Sequence, residues 1–137
     1  MSFSLLVCVF FIIFFSMQIN DITEKIIGAS YDVMNTLGSG FLEKVYENAL
    51  KVELELRGLS VESQKKLEVQ YKKHIVGEYY ADLFVENEVV VELKSAKNLL
   101  EIHEAQLLNY LTATNKKIGI LINFGKPRVE IKRVVNG

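Results

Sequence analysis

One hairpin near the middle of the chain constrains the fold more than any other stretch. In GEYYADLFVENEVVVELK, residues 77–94, apolar and polar residues alternate, pause at Glu86-Asn87-Glu88, and alternate again. The pattern predicts two antiparallel strands joined by a short turn. Ala81, Leu83 and Val85 are expected on one face, with Tyr80, Asp82 and Phe84 on the other; Val89, Val91 and Leu93 likewise oppose Val90, Glu92 and Lys94. A two-residue loop would set Asp82 against Val91 and scatter charge over both faces. A three-residue connection pairs Val85 with Val89, Leu83 with Val91 and Asp82 with Glu92, leaving one face wholly apolar. The second register is expected, because a slip of one residue buries the charged set; a bulge in either strand would serve equally well. Two opposed carboxylates repel one another, and Lys94 offsets only part of that. Either a hard divalent cation with oxygen ligands sits there, or the face is solvated and the ion pair incidental.

The flanking sequence supplies layers for this hairpin. NDITEKIIGASYDVMNTLG, from Asn20, has helical apolar spacing, with Asp21 and Glu24 as a capping-box-like start and Gly38 as a stop. FLEKVYENALKVELELRG predicts a second helix ending at Gly58. Leu67, Val69 and Tyr71 alternate as a strand, and Lys72-Lys73-His74 turns the chain into Ile75–Val85. A third helix is expected over Leu99–Thr114. KKIGILINF is apolar enough to be a strand covered on both faces, and RVEIKRVV reads as a last edge strand. The order α-α-β-β-β-α-β, with a final β, defines an α/β domain on a mixed sheet.

A chain of 137 residues suits one domain that buries its core without disulfides. Sixteen Lys and Arg against seventeen Asp and Glu give a net charge of −1, so no global basic field draws in nucleic acid. Contact with DNA or RNA then has to come from a local patch or a bound cation. One cysteine, Cys8, and two histidines exclude an internal disulfide and argue against structural zinc. Residues 1–16, MSFSLLVCVFFIIFFS, differ from the rest, with no charge before Asp21. As a transmembrane helix the segment falls short of roughly 20 residues and lacks flanking Lys or Arg. As a secretory signal it lacks a positive start and a small-x-small cleavage site. The third reading, favoured over either of these, takes residues 1–16 as upstream sequence and Met17 as the start of a single domain over residues 17–137.

Two further motifs carry the functional expectation. Gly40-Phe41-Leu42-Glu43-Lys44-Val45-Tyr46 is a GxxExxY spacing, and HEAQLLNY, residues 103–110, places Gln106 and Tyr110 on one helix face with His103. With LGSGFLEKVYENAL, YYADLFVE, VVVELK and ILINFG, these make the chain resemble the GxxExxY proteins of the PD-(D/E)xK nuclease superfamily, from about Ile22 to Val134. Members of that family usually begin where Met17 stands.

The resemblance implies a restriction-endonuclease-like mixed sheet flanked by helices. It also implies a Mg²⁺-dependent nuclease, with Mn²⁺ as a substitute, acting on DNA or RNA. Asp82, Glu92 and the helix-borne Glu43 would bind the metal, Lys94 would serve the attacking water, and Gln106 and Tyr110 would complete the catalytic set. One departure is that Ala81, not proline, precedes Asp82. Gly40 is read as a turn residue and Tyr46 as a packing residue of the second helix. A cytoplasmic enzyme, with a homodimer as a way to hold a duplex, is the leading expectation. An inactive binding module is the first alternative; a membrane-tethered interaction domain is the second, should residues 1–16 be retained. The intact mass of the native protein decides the start: it should correspond to a chain beginning at Met17.

Overall fold

Helix α1 (Phe3–Leu37) starts at Ser2, whose hydroxyl oxygen accepts the Leu5 amide at 3.3 Å. The computed structural model describes residues 2–137, except for the side chains of residues 14–17, among them Met17. No proline or glycine interrupts the apolar segment, so the helix runs straight through Asn20 instead of beginning there. Asp21, expected to cap, pairs with Lys25 at 3.3 Å on the helix surface. Phe3, Phe10, Phe11 and Ile12 are exposed. By length and composition alone α1 is long and apolar enough to cross a membrane. Its later part turns Ile19, Ile22, Ile26, Ala29 and Val33 into the core. Gly38, at φ 76°, ends the helix with its amide on the Met34 carbonyl at 2.8 Å.

Helix α2 (Glu43–Leu56) follows a glycine turn in which Gly40 takes a left-handed φ of 105°. Tyr46 fixes that turn. Fully buried, it donates its hydroxyl to the Gly38 carbonyl at 2.6 Å and accepts the Phe41 amide at 3.2 Å. Its ring stacks on Phe124, 4.7 Å between centroids. The tyrosine of the GxxExxY spacing is thus a packing residue, as expected.

Five strands form one sheet in chain order: β1 (Val61–Tyr71), β2 (His74–Val85), β3 (Val89–Lys94), β4 (Ile118–Asn123) and β5 (Glu130–Val135). Only β3 and β4 are parallel, joined through α3 (Glu101–Ala113). Helices α1 and α2 cover one face, over Leu83, Val85, Val89, Val91, Leu93 and, from β4, Ile118, Ile120 and Ile122. Helix α3 covers the other, over Ala81, Phe84, Val90 and Leu121. Strand β4 is buried throughout, as its unbroken apolar run predicts. Gly119 lets α3 approach it: a Cβ there would stand 2.9 Å from a Leu107 methyl.

The hairpin takes the three-residue connection, with Val85 opposite Val89 and Leu83 opposite Val91. Glu86 and Asn87 both adopt left-handed φ, 54° and 55°. Strict alternation fails farther along. Ala81 and Leu83, expected on one face, belong to opposite core layers. The switch falls at Asp82, beside Gln64 of β1, whose φ of 51° breaks the regular pleat. Strand β1 also starts at Val61, earlier than its apolar pattern begins.

Beyond the site, Asn123 fastens the loop that follows β3. Its side chain accepts the Ala96 and Gly125 amides at 2.9 and 3.0 Å and donates to the Ala96 carbonyl at 2.9 Å. Tyr46→Phe keeps the ring stack and removes only the hydroxyl. It should lower unfolding free energy by about 1 kcal/mol, read as a lower denaturant midpoint at unchanged slope.

Candidate active site

The β2–β3 ladder stops at Leu83 and Val91. One step on, where pairing would oppose Asp82 to Glu92, side chains take over from the backbone. The Asp82 amide donates to Glu92 Oε1 at 3.1 Å, and the Leu93 amide donates to Asp82 Oδ2 at 2.9 Å. Each carboxylate crosses to satisfy an amide at the end of the ladder. Both acids are half-buried there.

Tyr79 donates its hydroxyl to the same Glu92 oxygen. Glu92 Oε2 receives no donor among the described residues and is not sealed from solvent. Burial, aided by the nearby charge of Asp82, pushes the Glu92 carboxyl up to about 8; the Tyr79 hydroxyl, the Asp82 amide and the Lys94 charge oppose this only in part. Tyr79 is itself held well above the ordinary phenol range, first by burial and then by Glu92.

Glu92 and Lys94 open into a cleft of about 190 Å³ whose far wall is α3, with Tyr79, His103, Gln106 and Tyr110 in its lining. Period-two spacing on β3 puts Glu92 and Lys94 on one face, and helical spacing puts His103, Gln106 and Tyr110 together. Tyr110 stacks on Tyr79, 4.0 Å between centroids. His103 Nδ1 accepts the Leu100 amide at 3.1 Å, so it caps the start of α3. Among the described residues neither the Lys94 amine nor the Gln106 amide has a side-chain hydrogen-bond partner, and both line the cleft.

Glu43 comes from the other layer, as the first residue of α2, and its side chain is exposed. Its carboxyl is raised by partial burial and by Asp82, while Lys94 opposes the rise. It therefore lies within electrostatic reach of both. Among the described residues, however, no three His, Cys, Asp or Glu side chains form a metal-sized cluster. The donor set that fits a cation is the crossed pair, with hard carboxylate oxygens of which Glu92 Oε2 is unpartnered among the described residues and on a side chain that lines the cleft.

Three residues of this neighbourhood escaped the sequence reading: Tyr79, Glu47 and Gln64. Glu47 is only 3% exposed, paired with Lys44, and its Oε1 accepts the Gln64 amide at 2.9 Å. The same Gln64 nitrogen donates to Asp82 Oδ1 at 3.2 Å. Glu47 lies one helical turn beyond Glu43, a spacing that signals a shared face. Tyr79, three residues before Asp82, and Gln64, in a polar stretch, carry no such mark.

A family model described as the PD-(D/E)XK nuclease superfamily matches residues 20–134, and the chain belongs to that superfamily. A solved structure titled "Crystal structure of SSO0001" superposes with a TM-score of 0.54 at 21% identity, over 68% of this chain and 49% of that one. The likeness is one of fold, and this chain spans about half the length of that protein. No curated protein matches. The restriction-endonuclease-like mixed sheet expected from the sequence is the architecture found.

Since the Glu92 proton is held more tightly folded than unfolded, its contribution to stability is complete below about pH 4.5 and is lost as pH rises to about 8. Glu43 acts in the same direction. In metal-free buffer the melting temperature should fall between pH 5 and 8, and Glu92→Gln should flatten that fall, as measured by thermal unfolding across the range.

Proposed function

We propose that this chain is a GxxExxY-family nuclease that hydrolyses phosphodiester bonds of DNA or RNA with Mg²⁺, for which Mn²⁺ can substitute. The observation that carries this reading is the crossed Asp82–Glu92 pair, whose Glu92 opens with Lys94 into a cleft walled by Gln106 and Tyr110. Asp82 and Glu92 would hold the cation, with Glu43 acting on it through water. Bound there, a divalent metal activates water and offsets charge on a phosphorane-like transition state.

The protein's own groups supply the rest. Backbone amides hold each carboxylate at one oxygen, so neither rotates freely. Lys94, two residues beyond Glu92, presents a compact charge to the cleft, suited to orienting the attacking water and balancing negative charge as it develops. From the facing helix, Gln106 can donate its amide and Tyr110 its hydroxyl to a phosphate oxygen. The stacked tyrosines also give the cleft an aromatic wall.

A second reading, a binding module without catalysis, draws on the near-neutral charge of the chain. One assay separates the two. Purified protein is incubated with single- and double-stranded DNA and RNA in Mg²⁺, Mn²⁺ or EDTA. Cleavage should require the metal and fall by at least about 100-fold in Glu92→Ala and in Lys94→Ala. Equal cleavage in those variants, or cleavage in EDTA, refutes the enzyme reading. Retained nucleic-acid affinity with no cleavage favours the module.

A further inference from the structure

We infer that Gln64 is a positioning residue that orients Asp82 by tying it to helix α2 through Glu47. The inference rests on the reading of Asp82 as a metal ligand. Its first support is the hydrogen-bond geometry. Gln64 Nε2 lies 2.9 Å from Glu47 Oε1 and 3.2 Å from Asp82 Oδ1. Only the amide nitrogen, with its two protons, can face two carboxylates at once. The amide therefore separates two acids that would otherwise repel, and leaves each Asp82 oxygen a lone pair for another partner.

Backbone strain points the same way. Gln64 holds φ at 51° within β1, between Ser63, which pairs with Leu83, and Lys65, which pairs with Ala81. A left-handed conformation is strained at a residue with a Cβ. The Gln64 side chain is exposed, so core packing does not demand that conformation. What the conformation achieves is delivery of the amide to the point where β2 changes core layers. Glu47 is a firm anchor, because it is buried and already held by Lys44. Asp82 is thus gripped on both oxygens, by the Leu93 amide on one side and by Gln64 on the other. Outer-shell partners of this kind typically govern metal affinity by 10- to 100-fold.

Glycine tolerates a left-handed φ, so Gln64→Gly removes the amide while relieving the strain. The test measures Mn²⁺ affinity by the electron paramagnetic resonance signal of free Mn²⁺, alongside metal-free melting temperature, for wild type, Gln64→Gly, Gln64→Leu and Asp82→Ala. The expected result is Mn²⁺ binding weakened by about 10- to 100-fold in both Gln64 variants. Gln64→Gly should melt at or near the wild-type temperature, which a merely structural role would not give, and Asp82→Ala should not bind. Should the glycine variant not fold, Gln64→Leu carries the same comparison. Affinity within twofold of wild type in a folded Gln64 variant, with binding lost in Asp82→Ala, overturns the role of Gln64 alone. Absence of Mn²⁺ binding in wild type overturns the metal-site reading and this inference with it.

Discussion

At the end of the β2–β3 ladder the Leu93 amide bonds a side chain where regular pairing would offer a carbonyl, and the Asp82 amide does the same in return. This exchange governs the rest of the structure. Two strands can end their pairing inside a protein only if the freed amides find acceptors. Carboxylates are strong ones, since a charged acceptor makes a shorter and tighter hydrogen bond. The same exchange sets two acids side by side in a half-buried place, where burial first and the Asp82 charge second push the Glu92 carboxyl up to about 8, against the pull of the Asp82 amide. The device that closes the sheet thus also gathers the two acids at one end of it.

The surroundings make that place rigid from several directions. Tyr46 ties the glycine turn before α2 to Phe124, and the Phe124 amide bonds the Lys94 carbonyl at 2.9 Å. The helix that brings Glu43 is therefore linked through one aromatic stack to the strand that ends in Lys94. On the other face, Gly119 admits α3 close to β4, so that Gln106 and Tyr110 stand over the cleft. Membership in the PD-(D/E)XK superfamily fits this division of labour, in which helices from both layers approach one sheet end.

Much of this was legible in the residues. The hairpin register followed from charge segregation, and β3 was bounded correctly because Val89 to Lys94 sits between clear punctuation. The burial of β4 followed from its lack of any polar alternation. The misses have physical reasons. Helix α1 continues through Asn20 because a cap signal cannot stop a helix that already has apolar, unbroken sequence behind it. Residues 61–63 were not read as strand because their pairing with β2, and not their own pattern, makes them one. A left-handed glutamine is invisible in sequence, since its strain is imposed by partners brought from α2 and β2. The layer switch at Asp82 has the same origin, and it explains why alternation mispredicted the company of Ala81.

Glu130, on the last strand, accepts the Leu99 amide at 2.8 Å and the Asn123 amide at 3.2 Å, which holds its carboxyl below the usual range. The segment leading into α3 is therefore clasped by the edge strand farthest from β1. Among the described residues that strand hydrogen-bonds neither acid of the pair, yet it holds the entry to the helix that walls their cleft. Loss of its grip would loosen one side of the cleft and leave the acidic pair itself intact.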